Sequence, residues 1–361
     1  MRDSRQRSKR IHKIKIANML KKAVLWESVG EKDVRCELCC HNCVIGPEGF
    51  GICGIRRNVG GELYTYGYGK VVAKNIDPIE KKPFYHFLPG TRAYSIAAAG
   101  CNFKCSFCQN WSISQITASS EGLLGTEFSP KDIVEEAEKS FCRSIAYTYT
   151  EPTVFFEYAF DVAKIAKEKG LYNSFVTNGF MTEKAVDKIS PYLDAANIDL
   201  KFFNEESYKR ICNGRLEPVL RTIEALKDKG VWVEVTTLII PGENDSDKEI
   251  RGIAKFLAGL DREIPWHVNR FHPDHKYMDS SVTPLETIKK AVDIGEKEGL
   301  VNVYPGNMGD QVNTKCPDCG TILLNRNGFS VEITDKFDIE NGTCAECSRQ
   351  IKGVWNEREG K

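Results

Sequence analysis

Short apolar and β-branched runs recur along the middle of the chain. They fall at residues 93–99, 144–150, 172–177, 195–203, 231–240, 265–271 and 302–304. Runs of this length, nearly continuous and bounded by turn residues, predict strands buried on both faces. Helical patterns with start signals lie between most of them. Ser129, Pro130 and Asp132 combine a cap, a first-turn proline and an acid at the third position. The stretches 246–249 and 283–286 repeat the device. Gly170, Gly230 and Gly299 stand where three helices should close. Strands alternating with amphipathic helices predict a parallel sheet with helices outside it. Six or seven such units suit an α/β fold, an open or partial TIM-type barrel, whose reacting groups come from the C-terminal ends of strands.

Four regions follow from the pattern. Residues 1–30 form a basic lead, open to a helical reading. Residues 31–92 hold a cysteine cluster followed by Gly-, Tyr- and Pro-rich sequence. Residues 93–308 form the βα core, and residues 309–361 carry two cysteine pairs. No repeat of fixed period is visible.

A chain of 361 residues can bury a large core. Formal net charge is zero. Positive charge gathers at the start, in Arg2, Arg5, Arg7, Lys9, Arg10, Lys13, Lys15, Lys21 and Lys22 against Asp3. Such a lead is either a solvated terminus or a contact for nucleic acid or an acidic partner. No apolar run approaches the ~18 residues of a membrane span. No uninterrupted apolar stretch follows the basic start, so a secretory signal is not expected and the protein is expected to be cytoplasmic. In a reducing compartment, fourteen cysteines point to metal centres rather than disulfides.

Cys101, Cys105 and Cys108, spaced C-x3-C-x2-C, directly follow the first predicted core strand. A 4Fe–4S cluster is normally held by four thiolates. Three leave one iron open to a small molecule, as a catalytic zinc site keeps one position free. The segment resembles that of the radical S-adenosylmethionine (SAM) enzymes, including an aromatic residue, Phe107, before the third cysteine. The resemblance implies that SAM chelates the open iron and is cleaved reductively to a 5′-deoxyadenosyl radical, which abstracts hydrogen from a substrate.

Other strand ends offer polar candidates. Glu151 suits pairing with the SAM ammonium group, or is an acid favoured at a helix start. Asn178 could bond a ribose or carboxylate, and Gly179 would admit backbone close to a ligand; the two are also a common turn pair. Asp199 and Lys201 share one face of an apolar strand and need partners there. They resemble the D-x-K element of the pyruvate formate-lyase activating enzymes, where such residues lie around SAM. His272, after the sixth strand, is a further SAM-side candidate, whereas His267 reads as structural. Cys142 and Cys212 read as small core hydrophobes.

Cys316, Cys319, Cys344 and Cys347 form two C-x2-C knuckles around a predicted hairpin. That is a zinc ribbon, with rubredoxin-like iron as the alternative. Nearer the start, Cys36, Cys39, Cys43 and Cys53 make the favoured quartet for a second metal, zinc or an iron–sulfur cluster, with Cys40 and His41 as spectators. A thiol cluster without metal is not expected in so short and glycine-rich a stretch.

The N-terminal cysteine segment, the block Asp77-Pro78-Ile79-Glu80-Lys81-Lys82-Pro83, the cysteine triplet, the stretch 270–275 and the ribbon occur in the order found in AmmeMemoRadiSam-system radical SAM proteins. The chain resembles these relatives of the pyruvate formate-lyase activating enzymes. Cys40 stands where proline is expected in that family. A ferredoxin-type insert carried by some activases after the triplet is absent. The resemblance implies partnership with Memo-like and AMMECR-type proteins and an electron donor of flavodoxin or ferredoxin type. It leaves the substrate open: a protein or small metabolite, a glycyl-radical enzyme, or RNA. Zero net charge and the lack of a basic, aromatic-interleaved patch in the core weigh against RNA.

Overall fold

The computed structural model describes residues 20–118, 123–309 and 311–356. The basic residues Arg2 to Lys15 therefore lie outside the described residues. Lys21–Lys22 (β1) is a strand rather than the start of a helix, paired with Glu62–Thr65 (β6), which also pairs with Arg56–Val59 (β5). Lys21 is ion-paired with Asp161 and Lys22 with Glu62. Trp26–Val29 (β2), Asp33–Cys36 (β3) and Val44–Ile45 (β4) form a second small sheet, which carries the first cysteines.

The core is a nine-stranded sheet. Its parallel strands are Arg92–Ala98 (β8), Ser144–Tyr147 (β10), Tyr172–Thr177 (β11), Ala195–Asp199 (β12), Trp232–Ile239 (β13), Trp266–Arg270 (β14) and Val303–Gly306 (β15), in spatial order β8-β10-β11-β12-β13-β14-β15. All seven fall on runs the hydrophobic pattern marks. Lys70–Pro78 (β7) and Thr126–Glu127 (β9) extend the β8 edge antiparallel, which makes the sheet mixed. The pattern does not mark β7, because three successive residues within it, Lys74, Asn75 and Ile76, are exposed. β9 and β15 each end the hydrogen-bonded order, so the barrel is open.

Helices cover the outside: Pro130–Lys139 (α1), Phe156–Glu168 (α2), Glu183–Ile189 (α3), Leu216–Asp228 (α4), Asp247–Leu260 (α5) and Leu285–Lys297 (α6). Ser129 Oγ accepts from the Asp132 amide while Asp132 accepts from the Ser129 amide, a complete capping box. Ser246 caps α5 through the Glu249 amide. Thr283 does not cap α6. Its hydroxyl is buried, donating to the Ile239 carbonyl and accepting from the Phe271 amide, so it ties the ends of β13 and β14 together. Gly170, Gly230 and Gly299 take positive φ as expected.

Residues 79–91 fold under the N-terminal ends of the strands and close the barrel floor. Phe84 and Phe87 pack there against Ala93, Ala146, Tyr172 and Ala195. The Tyr85 and His86 amides donate to buried Glu234, which also meets His267. His267 is thus structural, as expected. The C-terminal hairpin, Ile322–Asn327 (β17) and Ser330–Ile333 (β18), has a short partner strand, Thr314–Lys315 (β16). Phe337–Asp338 (β19) and Thr343–Cys344 (β20) follow it. This unit docks on the floor: Arg326 donates to the Tyr85 carbonyl, and Leu88 to the Val354 carbonyl.

Candidate functional site

Cys101, Cys105 and Cys108 lie on the wall of a cavity of about 560 Å³ at the C-terminal ends of the strands. The loop leaves β8 through Gly100 at φ +100°, where a Cβ would meet Ile55 at 2.5 Å, so only glycine lets the chain turn there. The Phe103 amide donates to Cys101 Sγ at 3.3 Å, and Ser114 Oγ lies 3.3 Å from Cys108 Sγ. Hydrogen bonds of this kind suit thiolates that hold a metal centre. Burial, then the Glu151 carboxylate, push the Cys101 thiol well above its ordinary pKa. Contact with Cys212, then burial, do the same for Cys105. The residues on this wall fit a cluster. Among the described residues only the ribbon thiols converge within 4.8 Å of one another. The triplet is spread wider, as a multinuclear centre requires.

Glu151, Asn178, Asp199 and Lys201 line the same cavity. Glu151 is 2% exposed. Its Oε1 accepts from the Thr153 amide and hydroxyl and the Thr177 hydroxyl, and its Oε2 accepts from the Asn178 amide. Burial raises its pKa despite these donors. One acceptor position on Oε2 remains for a ligand. Asn178 Nδ2 donates to Asn102 Oδ1 at 2.7 Å and lies 3.7 Å from Cys101 Sγ. Gly179 has φ +68°, and a Cβ there would meet Ile198 at 2.8 Å. Packing against β12 therefore explains this glycine, and ligand approach does not.

Lys201 Nζ pairs with Asp199 Oδ2 at 2.8 Å on the cavity wall. Burial opposes the lysine's charge, but Asp199 and then Cys105 outweigh it and hold its pKa well above the ordinary value. His272 is exposed and does not line the cavity; its Nε2 lies 2.9 Å from Nε2 of Gln109, which does. Cys142 and Cys212 are buried as expected.

The cavity also takes in residues not singled out by their chemistry in the sequence. Lys81 and Lys82 reach it from the floor and share one partner, Asp77, at 2.9 and 2.7 Å. They lie in the block Asp77–Pro83, where two adjacent lysines after an acid are the sequence signal. Asn269 lines the far wall.

The ribbon thiols gather as a mononuclear site requires, with Cys316 and Cys347 sulfurs 3.5 Å apart and Cys319 and Cys344 sulfurs 3.7 Å apart. Cys36, Cys39, Cys43 and Cys53 surround a separate small cavity. Their sulfurs do not converge, which corrects any picture of four thiols already meeting at one ion. Cys40 turns away, its thiol donating to the Met181 carbonyl. His41, expected to be a spectator, instead lines the cavity.

Residues 95–257 match the sequence model of the radical SAM superfamily. An uncharacterised protein of Methanocaldococcus jannaschii is 43% identical over 335 residues, covering 92% of this chain and 99% of that protein. A putative glycyl-radical enzyme activating enzyme of the same archaeon is 28% identical over 55% of this chain and 74% of its own. The pyruvate formate-lyase-activating enzyme of Clostridium pasteurianum is 23% identical over 56% of this chain and 89% of its own. Among solved structures, a domain of a pyruvate-formate lyase-activating enzyme from Bacteroides vulgatus aligns with a TM-score of 0.41 at 21% identity, covering 45% of this chain and 99% of that one.

Proposed function

The chain belongs to the radical SAM superfamily, and from that premise we propose how its own residues divide the work. It is an enzyme. When bound, the 4Fe–4S cluster supplies one electron to SAM, whose carbon–sulfur bond breaks to give methionine and a 5′-deoxyadenosyl radical that takes hydrogen from a protein or small-molecule substrate. Cys101, Cys105 and Cys108 hold the cluster and leave one position open. Glu151 offers its remaining acceptor to the SAM ammonium group, and the Asp199–Lys201 pair faces the same ligand. Asn178 keeps Asn102 and the Cys101 loop in place. His272 acts through Gln109 rather than by direct contact. The enclosing cavity limits water around the reacting atoms.

The observation that carries this reading is the meeting of three thiols and four polar strand-end residues on one cavity. Anaerobically reconstituted protein given dithionite and SAM should form 5′-deoxyadenosine, and alanine at Cys101, Cys105 or Cys108 should abolish it. Normal product from any of the three variants overturns the assignment.

Relatives named as activating enzymes favour a polypeptide substrate, so a glycyl-radical partner is the first candidate. The electron donor is then of flavodoxin or ferredoxin type. The order of motifs supports placement in the AmmeMemoRadiSam system, with Memo-like and AMMECR-type partners. Close convergence of Cys316, Cys319, Cys344 and Cys347 supports zinc in the ribbon, since thiolates about 2.3 Å from one ion stand about 3.8 Å apart. Cys36, Cys39, Cys43 and Cys53 form a second metal site.

A further inference from the structure

The N-terminal cavity is walled by Cys36, Cys39, Cys43 and Cys53 together with His41, Arg56 and Asn102. It admits the centre of a water-sized sphere over about 20 Å³, which makes it roughly 3 Å in radius out to its walls. The sulfurs on such a wall lie farther from its centre than the ~2.3 Å of a zinc–thiolate bond. They also fail to converge within 4.8 Å, unlike the ribbon thiols in the same molecule. Gly51 lines the same cavity, where a Cβ would stand 3.3 Å from Ile45 and in ordinary contact with Cys43 Sγ at 3.8 Å.

Among the described residues, two buried donors on this wall have no partner. Asn102 is fully buried and its Nδ2 is unpaired; Arg56 is 1% exposed and its Nε is unpaired. Arg56 Nη1 already donates to Cys36 Sγ at 3.0 Å. The charge of Arg56 is met by its buried ion pair with Glu157, but unpaired buried donors are costly, so a ligand with several acceptor atoms is called for. Bridging sulfides and thiolates of an iron–sulfur cluster supply such acceptors, and four cysteines are its usual ligand set.

Position adds the role. Asn102 follows Cys101 directly in sequence and forms part of this wall, so one residue separates the two thiol sets. His41 Nε2 meets the Asn102 carbonyl at 2.9 Å, and Asn178 links Asn102 Oδ1 to the neighbourhood of Cys101 Sγ. On the other side Cys39, Cys43 and Cys53 are partly exposed, and the last two are adjacent in sequence to exposed Val44 and Ile52. A donor can reach this set from solvent.

We propose that Cys36, Cys39, Cys43 and Cys53 hold a fully cysteine-ligated 4Fe–4S cluster that relays electrons into the cluster at Cys101, Cys105 and Cys108. This rests on the radical SAM reading of the main site. A reduced flavodoxin-type donor loses one electron; the N-terminal cluster gains it and passes it on. The main cluster ends one electron more reduced, and no atom is transferred.

The test begins with iron, sulfide and electron paramagnetic resonance on reconstituted wild type and on a Cys101→Ala/Cys105→Ala/Cys108→Ala triple variant. Wild type should carry about eight irons and the triple variant about four, with a reduced signal that does not move when SAM is added. A triple variant without iron overturns the relay while leaving the main assignment intact. Conversely, a wild type that shows no SAM-dependent signal and forms no 5′-deoxyadenosine with dithionite overturns the main assignment, even if the triple variant holds iron. Relative to wild type, Cys53→Ser should lose at least about tenfold more of the flavodoxin-driven rate than of the dithionite-driven rate. Equal losses with both reductants make the second centre structural and overturn its role. If Cys53→Ser does not fold, rapid mixing of wild type with reduced flavodoxin decides. The SAM-insensitive signal must appear first, and its appearance with or after the other overturns the relay.

Discussion

At the scale of single residues, Asp199 and Glu80 separate ligand binding from stability. Asp199 is a third exposed and faces the cavity beside Lys201. Asp199→Asn keeps its size and removes its charge. Titrating SAM into the anaerobic variant should show affinity reduced by roughly tenfold, with the cluster spectrum and melting temperature nearly unchanged. Unchanged affinity with a large fall in melting temperature would make the pair structural. Glu80 sits under the barrel with Oε1 accepting from the Gly90 amide and Oε2 buried without a partner among the described residues. Burial lifts its pKa to about 7. The unfolded carboxyl loses its proton near pH 4.5, so stability falls as pH rises from there to 7 and stays lower above it. Glu80→Gln should therefore stabilise the protein by roughly 2–3 kcal/mol at pH 8 and by almost nothing at pH 4. Denaturant titrations at the two pH values check both sign and window. The raised acid was not legible in the sequence, because a Glu between Ile79 and Lys81 looks like an ordinary surface charge.

Elements show where local pattern is a sufficient guide. The seven parallel strands fall where the apolar runs put them, because a strand covered on both faces must be apolar at nearly every position. Ser129 and Ser246 cap as read, whereas Thr283 is drawn into the core by two strand ends. Ser129→Ala should cost about 1 kcal/mol in an equilibrium unfolding measurement without changing SAM cleavage. The ribbon is the other element whose thiol grouping was legible, since each knuckle is a local turn. Cys347→Ala should lose zinc, seen by metal analysis, while the iron at the barrel cluster is retained. Undiminished zinc would exclude the ribbon assignment.

Across the whole molecule, two ends of one barrel do different work. The floor, built from residues 79–91 and the ribbon, holds the fold together. The opposite mouth carries Cys101, Cys105 and Cys108. Arg326 links the ribbon to the floor by donating to the Tyr85 carbonyl and to Thr314 Oγ1, with its guanidinium over the Tyr85 ring. Arg326→Met leaves that carbonyl without this donor and should cost about 1–3 kcal/mol. The melting temperature should fall by several degrees while SAM affinity stays the same. Weakened SAM binding in this variant would show that the two ends are coupled.

The chain's sequence alone established the order of the seven parallel strands and the helices between them, the three-thiol segment after the first of those strands and the paired knuckles of the ribbon. Each is encoded by neighbours a few residues apart, through periodicity or ligand spacing. Tertiary structure decided what meets across long separations. It set Lys81 and Lys82 in the same cavity as Cys101 and put Cys212 against Cys105. It also held His272 out at the surface and laid the N-terminal cysteines beside Asn102. No local pattern carries these contacts, because they arise when elements with separate periodicities close on one another and the buried polar groups must then find partners.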